Sequence, residues 1–77
     1  MDAHKLVKMA NEIAAFFEAE PDRAAMLDGI AGHLKRFWDP RMRREILRWQ
    51  DEHHGEGLKD SVRAAIDAHR NKLAAGV

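Results

Sequence analysis

The pair Asp39-Pro40 interrupts a chain that otherwise has helical periodicity throughout. Because proline restricts the residue before it to extended backbone, a helix that arrives from the N-terminal side has to end near Trp38. The Asp39 carboxylate can accept hydrogen bonds from the first free N–H groups of a new helix. Pro40 fits the first helical position, where its missing N–H costs nothing. The pair therefore predicts a tight corner between two helices.

The segment around this corner, His33–Trp49, contains both tryptophans and the densest run of arginine in the chain. Six basic and two acidic residues give it a local charge of about +4, whereas the whole chain has a formal net charge of zero. The positive charge is therefore confined to a local patch. The zero net charge of the whole chain argues against general binding to polyanions.

Two further breaks divide the rest of the chain. Pro21 cannot continue a helix, and Gly55 is a candidate left-handed helix terminator. Between the breaks, apolar residues recur with helical spacing, and no run alternates apolar with polar residues as strands do. We predict an all-α fold, a small bundle of four short helices that span Ala3–Ala19, Arg23–Phe37, Pro40–Glu52 and Lys59–Ala74.

Two glycines, Gly29 and Gly32, lie on the side of the second predicted helix that faces away from its apolar residues. Each costs up to about 1 kcal/mol relative to alanine in a helix interior. Either the helix tolerates them, or another backbone approaches closely there because only glycine leaves room.

With 77 residues, the chain is expected to form a single helical domain over residues 1–77. A chain of this length buries only roughly 60% of its unfolded surface, so we expect marginal stability in isolation. The absence of cysteine excludes disulfides and thiolate metal sites. No apolar run approaches the ~20 residues of a membrane span and the first residues lack a secretory pattern, so we expect a cytoplasmic location.

Motifs that carry chemistry are weak in this sequence. A zinc site needs three or four converging ligands, and no H-x-x-x-H pair occurs among the five histidines. Ser61 has no elbow motif around it, and helix capping is its expected role. Gly55–Gly57 is too short for a phosphate loop and precedes no strand. We predict no catalytic residue, cofactor site or metal site in this chain.

The basic residues Arg41, Arg44 and Arg48 share one face of the third predicted helix, with Glu45 between them. A solvated helix face is the plainest interpretation. Contact with nucleic acid is another, because two helices joined by a corner have the outline of a helix-turn-helix, although Glu45 and the neutral net charge count against it. A protein interface is the third, because tryptophan and arginine are enriched at interface hot spots.

The tryptophans leave a related choice open. Trp38 lies beside the arginines and suits an interface, yet Trp38 and Trp49 can also fill the core. A homodimer that completes its core by self-association is a further alternative.

The residues near the corner resemble those of a known family. The specific block is H-L-x-x-F-W-x-P-R-M-R, from His33 to Arg43. This block is similar to the delta subunit of cytosolic NAD-dependent formate dehydrogenases that contain molybdenum or tungsten. Weaker blocks extend the resemblance over almost the whole chain: Leu6-Val7, Met9-Ala10-Asn11, Ile13, Phe16-Phe17, Ile30-Ala31, Gly55, Gly57-Leu58, Val62, Ala65 and Ile66.

The resemblance implies a non-catalytic subunit of an enzyme that oxidises formate to carbon dioxide and reduces NAD. It implies that molybdopterin, the iron–sulfur clusters and FMN belong to the other subunits. It also implies a hetero-oligomer in which this chain supports assembly, stability or cofactor loading of the catalytic alpha subunit. We predict that the contact uses Asn11, Phe37, Trp38, Pro40, Arg41, Arg43, Arg44 and Arg48. Phe37 and Met42 either meet the partner or support this surface from beneath.

Overall fold

The computed structural model describes residues 2–77, so Met1 of the predicted domain lies outside the described residues. Its helices are α1 (Ala3–Phe17), α2 (Arg23–Phe37), α3 (Pro40–His53), α4 (Asp60–Ala68) and α5 (Arg70–Ala74). No strand occurs in residues 2–77, and the predicted all-α class is confirmed. Within the same residues, no helix combines the length and the apolar character that crossing a bilayer requires.

Aspartate side chains begin the first three helices. In each case a carboxylate on extended backbone accepts a hydrogen bond from an N–H group of the first turn. The pairs are Asp2 with His4 at 3.0 Å, Asp22 with Ala24 at 3.2 Å and Asp39 with Met42 at 2.9 Å. Pro40 occupies the first turn of α3, and only Trp38 and Asp39 separate α2 from α3. These two residues place the end of α2 beside the start of α3.

The last predicted helix is divided in the structure. His69 has φ −122° and ψ 29°, outside the helical region, so the chain has five helices where four were predicted. No glycine or proline marks this position in the sequence. The change of direction lets α5 pack against α2 and α3, where Leu73 is completely buried.

All five helices contribute to one hydrophobic core. Its completely buried large side chains are Ile30, Leu34, Val62, Ile66 and Leu73, with Ile46 nearly so. Trp38 belongs to the core, whereas Trp49 is partly buried against it. The core interpretation of the tryptophans is therefore the one that the structure supports.

Side chains of α1 stabilise the start of α4. Lys59, the N-cap residue, makes no cap bond with its own side chain. Instead the Asn11 amide accepts from the Lys59 N–H at 2.9 Å and donates to the Gly57 carbonyl at 2.9 Å. The Glu18 carboxylate accepts from the Lys59 ammonium at 2.8 Å and from the Ser61 hydroxyl at 2.7 Å. Ser61 therefore binds the Glu18 carboxylate, just after the end of α1. We had expected it to cap α4 instead.

Arg43 holds the C-terminal end of α5. Its side chain is buried, and Nη1 donates to the carbonyls of Leu73 at 3.0 Å and Ala75 at 2.8 Å. The last carbonyls of a helix have no partner within the helix, and a cation is favourable near that end of the helix dipole. Arg43 therefore supplies what the end of α5 lacks.

A phenylalanine ring accounts for one of the two glycines of α2. A Cβ atom on Gly29 would lie 2.6 Å from Cδ1 of Phe17, so the ring occupies the space that a side chain would need. On Gly32 the nearest atom would be the flexible end of Arg36 at 3.3 Å. The close neighbour of Gly29 is thus an aromatic side chain and not another backbone.

Candidate docking surface

An open groove, here called the apolar groove, runs between α1 and the connection from α2 to α3. Its volume is about 640 Å³. Glu12, His33 and Trp38 are the lining residues that carry polar side-chain atoms; the other six are apolar. The lining residues are Met9, Glu12, Ile13, Phe16, Phe17, His33, Phe37, Trp38 and Met42.

Two phenylalanines of the apolar groove are unusually exposed for their size. Phe16 has 77% and Phe37 has 71% of its surface open to solvent. They end a row of rings in which Phe16 meets Phe17 at 5.3 Å between centroids, Phe17 meets His33 at 6.1 Å, and His33 meets Phe37 at 4.7 Å. Contiguous exposed apolar surface of this kind is typical of a site where another molecule binds.

A basic surface lies on the outer side of α3. Arg41, Arg44 and Arg48, here called the arginine face, line a shallow depression together with Glu45. Arg48 pairs with Glu45 at 3.7 Å. Arg41 and Arg44 form no ion pair with any residue between 2 and 77. The structure thus keeps the predicted arginines together and leaves two of their charges open to solvent.

The arginine face and the apolar groove lie on different sides of α3 and share no lining residue. Met42 lines the groove, and Glu45 follows it by three residues on the same helix, so these two side chains are neighbours. Arg44 lies about 160° around the helix from Met42. Glu45 therefore separates the groove from the arginine face.

Most of the residues predicted to bind a partner lie on or beside the apolar groove or the arginine face. Five are exposed: Phe37, Pro40, Arg41, Arg44 and Arg48. The alternative in which Phe37 only supports the surface from beneath is wrong, because most of its ring is exposed. Met42 is half-buried at the groove wall.

The other three predicted residues have roles inside the chain. Trp38 and Arg43 are each only 5% exposed. Both polar atoms of the Asn11 amide bind the loop before α4. Trp38 and Arg43 are therefore packed inside the fold, and the Asn11 amide is occupied by internal hydrogen bonds. Whether any of the eight residues binds a partner stays a prediction.

Sequence reasoning missed the α1 side of the groove. The pair Phe16-Phe17 contributed only to the family resemblance. In the structure Phe17 packs against the core and Phe16 is exposed. Consecutive residues of a helix point about 100° apart, so one of two adjacent rings can face solvent, and that spacing was the available signal.

Histidines pack against aromatic rings in two places. His4 and His53 contact Trp49 at centroid distances of 5.3 Å and 4.2 Å, and His33 joins the row in the groove. Within residues 2–77, no three His, Asp or Glu side chains converge in a way that could hold a metal ion. The arrangement offers aromatic contacts and no ligand set.

One comparison with known proteins identifies the family. Residues 5–66 match the family model of the NADH-dependent formate dehydrogenase delta subunit, FdsD. Neither the curated proteins nor the solved structures contain a match to the chain. The matched range includes the whole of the apolar groove and the arginine face. Since it also covers most of the sequence, the chain belongs to the family of NADH-dependent formate dehydrogenase delta subunits.

Proposed function

We propose that this chain is a non-catalytic accessory subunit that docks on the catalytic alpha subunit of an NAD-dependent formate dehydrogenase. Docking supports the assembly or stability of that subunit, or the loading of its molybdenum cofactor. In this proposal the molybdopterin, the iron–sulfur clusters and FMN reside in the partner subunits, and the complex is cytoplasmic. Family membership supports a hetero-oligomer, because a delta subunit is one component of a larger enzyme.

The exposure of Phe16 and Phe37 in the apolar groove carries the proposal. Protein interfaces commonly have an apolar centre, enriched in aromatic residues and arginine, and a polar rim. The groove supplies the centre and the arginine face supplies part of the rim. A partner that covers both removes the exposed rings from water, which is favourable by about 25 cal/mol for each Å² of apolar surface buried.

The test is co-purification of the tagged chain with the catalytic subunit after both are expressed together. Phe37→Asp changes the groove and Arg44→Glu changes the arginine face. Ala25→Asp and Arg23→Glu are matched controls, because both residues are exposed in the first turn of α2 and lie outside the groove. We expect Phe37→Asp and Arg44→Glu each to weaken binding about tenfold or more, as hot-spot substitutions do.

Formate-dependent NAD reduction by the purified complex gives the functional readout. We expect the two surface variants to lower the yield of active enzyme, while the controls match the wild type. Circular dichroism has to show equal helix content in all four variants. Full recovery of the catalytic subunit with both surface variants would refute docking through this surface.

A nucleic-acid partner remains the second candidate, because Arg41 and Arg44 have no ion pair within residues 2–77. Binding to phosphates weakens steeply as salt rises, since each neutralised phosphate releases a counterion. Titration with a duplex DNA at 50 mM and 200 mM salt decides this. A complex at low salt that is lost at high salt, and lost with Arg44→Glu, would support this candidate over protein docking.

A further inference from the structure

From the charges on α3, we infer that the arginine face binds a short acidic segment of the catalytic subunit, whose neighbouring carboxylates pair with Arg41 and Arg44. This inference rests on the proposed docking and adds the chemistry of one segment of the partner. It depends on the outer side of α3 alone, since the arginine face shares no lining residue with the apolar groove.

The charges of α3 run against the dipole of their own helix. Acidic residues stabilise the N-terminal end of a helix, and basic residues stabilise its C-terminal end. In α3 the first turn holds Arg41 and no acidic residue, whereas Asp51 and Glu52 lie in the last turn. Asp39, the N-cap residue, supplies a carboxylate at the first turn, but within residues 2–77 it forms no salt bridge with Arg41. The helix alone is therefore less stable than the reverse order of charges would make it.

Repulsion within the arginine face adds to this cost. Arg44 follows Arg41 by three residues and precedes Arg48 by four, so both of its neighbours along the face carry the same charge. Glu45 pairs with Arg48 at 3.7 Å. In the described part of the chain, Arg41 and Arg44 form no salt bridge and donate no side-chain hydrogen bond. Departures from local rules of this kind are expected at functional sites, so the two free guanidinium groups point to an anionic ligand.

The spacing of the two guanidinium groups defines that ligand. A guanidinium is a planar fork that binds a carboxylate or a phosphate through two parallel hydrogen bonds. Arg41 and Arg44 are three residues apart, which corresponds to a rise of about 4.5 Å along the helix. Two Asp or Glu residues three or four positions apart on a helix have a similar spacing, so one carboxylate meets each guanidinium.

Carboxylates fit this face better than a chain of phosphates. Phosphates follow one another along a nucleic-acid strand, so a strand that lies along α3 extends beyond the arginines. Glu45 lies in the same depression as the arginines, and Glu52 is exposed four residues after Arg48, so both repel such a strand. The chain also has no net charge, whereas nucleic-acid-binding domains are commonly basic. A short acidic segment meets the arginines and ends before Glu52.

Carbodiimide coupling in the co-expressed complex tests the inference, because the reagent joins an amine to a carboxylate that is in contact with it. Arg41→Lys and Arg44→Lys keep the charge and introduce the amine, and Arg23→Lys is the matched control at an exposed position of α2. We expect both positions of the arginine face to couple to Asp or Glu of one continuous segment of the catalytic subunit, identified by mass spectrometry. The control position should not couple to that segment.

Charge exchange between the two chains then identifies the ion pair. Arg44→Glu is expected to weaken the complex about tenfold, and replacement of the coupled carboxylate by lysine is expected to restore it. Arg23→Glu combined with the same lysine substitution is the control and should show no rescue. Failure of the rescue at every coupled carboxylate would overturn the inference.

A stability measurement separates binding from a role in the fold. Arg44→Gln removes the repulsion from Arg41 and Arg48. We therefore expect the urea midpoint of the isolated variant to equal or exceed that of the wild type, while its complex with the catalytic subunit is weakened. A lower midpoint would mean that Arg44 acts through the fold, and this would overturn the inference.

The remaining outcomes separate this inference from docking itself. Coupling to several unrelated segments, or full binding by Arg44→Glu while Phe37→Asp fails to co-purify, overturns the acidic segment and leaves docking in place. Coupling to a second copy of this chain overturns it and makes the arginine face a homodimer contact. Duplex DNA binding that is lost with Arg44→Glu, without coupling to the catalytic subunit, overturns it in favour of nucleic acid. Failure of the wild-type chain to co-purify with the catalytic subunit overturns both.

Discussion

At the scale of single residues, Arg43 holds the C-terminal end of α5 in place. Its guanidinium is buried and has carbonyl oxygens of Leu73 and Ala75 as its hydrogen-bond acceptors. Lys35 also donates to the Ala75 carbonyl at 3.2 Å, so that oxygen keeps a partner if Arg43 is lost. The Leu73 carbonyl has no such substitute among the side-chain donors of residues 2–77. The consequence of removing Arg43 is therefore concentrated at Leu73.

We expect Arg43→Met to lower the free energy of unfolding by about 1–3 kcal/mol, because it leaves a buried carbonyl without a donor. Arg44→Met is the control: that side chain is exposed, and surface substitutions usually change stability by less than about 0.5 kcal/mol. Urea unfolding followed by circular dichroism measures both. Equal midpoints for the two variants would show that the Arg43 hydrogen bonds contribute nothing.

At the scale of helices, local signals predicted boundaries well where a side chain marks them. Asp22 and Asp39 begin α2 and α3 at the predicted residues, and α2 ends at Phe37 as expected. The α4–α5 break at His69 has no breaker residue, because it arises from packing of α5 against α2 and α3. Sequence periodicity cannot report such a tertiary cause.

At the candidate surface, too, the features set by helix spacing could be predicted, and those set by contacts between remote segments could not. Spacing alone placed the arginines on one face, because i, i+3 and i+7 positions are fixed by helix geometry. The burial of Arg43 depends on the carbonyls of α5, thirty and thirty-two residues away along the chain. The internal role of Asn11 depends on a loop forty-six residues distant. Contacts between remote segments leave no periodic pattern, so sequence analysis placed both residues on the surface.

The carboxylate of Glu18 joins α1 to α4 and gives this pair of helices a dependence on pH. The Lys59 hydrogen bond, followed by that from Ser61, lowers the pKa of Glu18 below its ordinary value of 4.5. A lowered folded-state pKa contributes stability above the unfolded-state pKa, and that contribution is lost as pH falls through the folded-state value. The link between α1 and α4 is therefore complete at neutral pH and weakens in acid.

We expect Glu18→Gln to destabilise the protein at pH 7 and to have a smaller effect as the pH falls through the lowered pKa of the wild-type carboxylate, which then becomes protonated itself. Urea midpoints measured over a series of acidic pH values follow the difference. Glu52→Gln is the control, because Glu52 is exposed and has no hydrogen bond or ion pair from its side chain within residues 2–77. A Glu18→Gln effect that does not change with pH would contradict the proposed linkage.

Because α1 packs against α2 at Gly29 and not at Gly32, alanine substitutions at the two glycines should have opposite effects on stability. Gly32→Ala is expected to raise the free energy of unfolding by up to about 1 kcal/mol, the difference in helix propensity. Gly29→Ala is expected to lower it by about 1 kcal/mol, because the new methyl group overlaps the Phe17 ring and overpacking exceeds the propensity gain. In a Phe17→Leu background the Gly29→Ala loss should shrink or reverse. An equal gain at both glycines would show that the ring moves aside freely.

At the scale of the whole molecule, three of the five helices form the groove. α1, α2 and α3 line the groove and also contribute to the core, whereas α4 and α5 contribute only to the core. The exposed rings of the groove contribute little to the stability of the isolated chain, because they remain in water when it folds. A partner that covers these rings is therefore expected to add to the stability of the folded chain.

Docking should consequently protect helices that the partner does not touch. A ligand that binds only the folded state stabilises it by about 2.7 kcal/mol at a hundred times its Kd. The core amides of a small two-state domain exchange through global unfolding, so we expect hydrogen exchange at Ile66 and Leu73 to slow about a hundredfold in the complex. Mass spectrometry of the chain with and without the catalytic subunit measures this, and Phe37→Asp, which we expect not to dock, is the control. Slowing confined to α1–α3 would mean that α4 and α5 open on their own, in spite of their packing against α2 and α3.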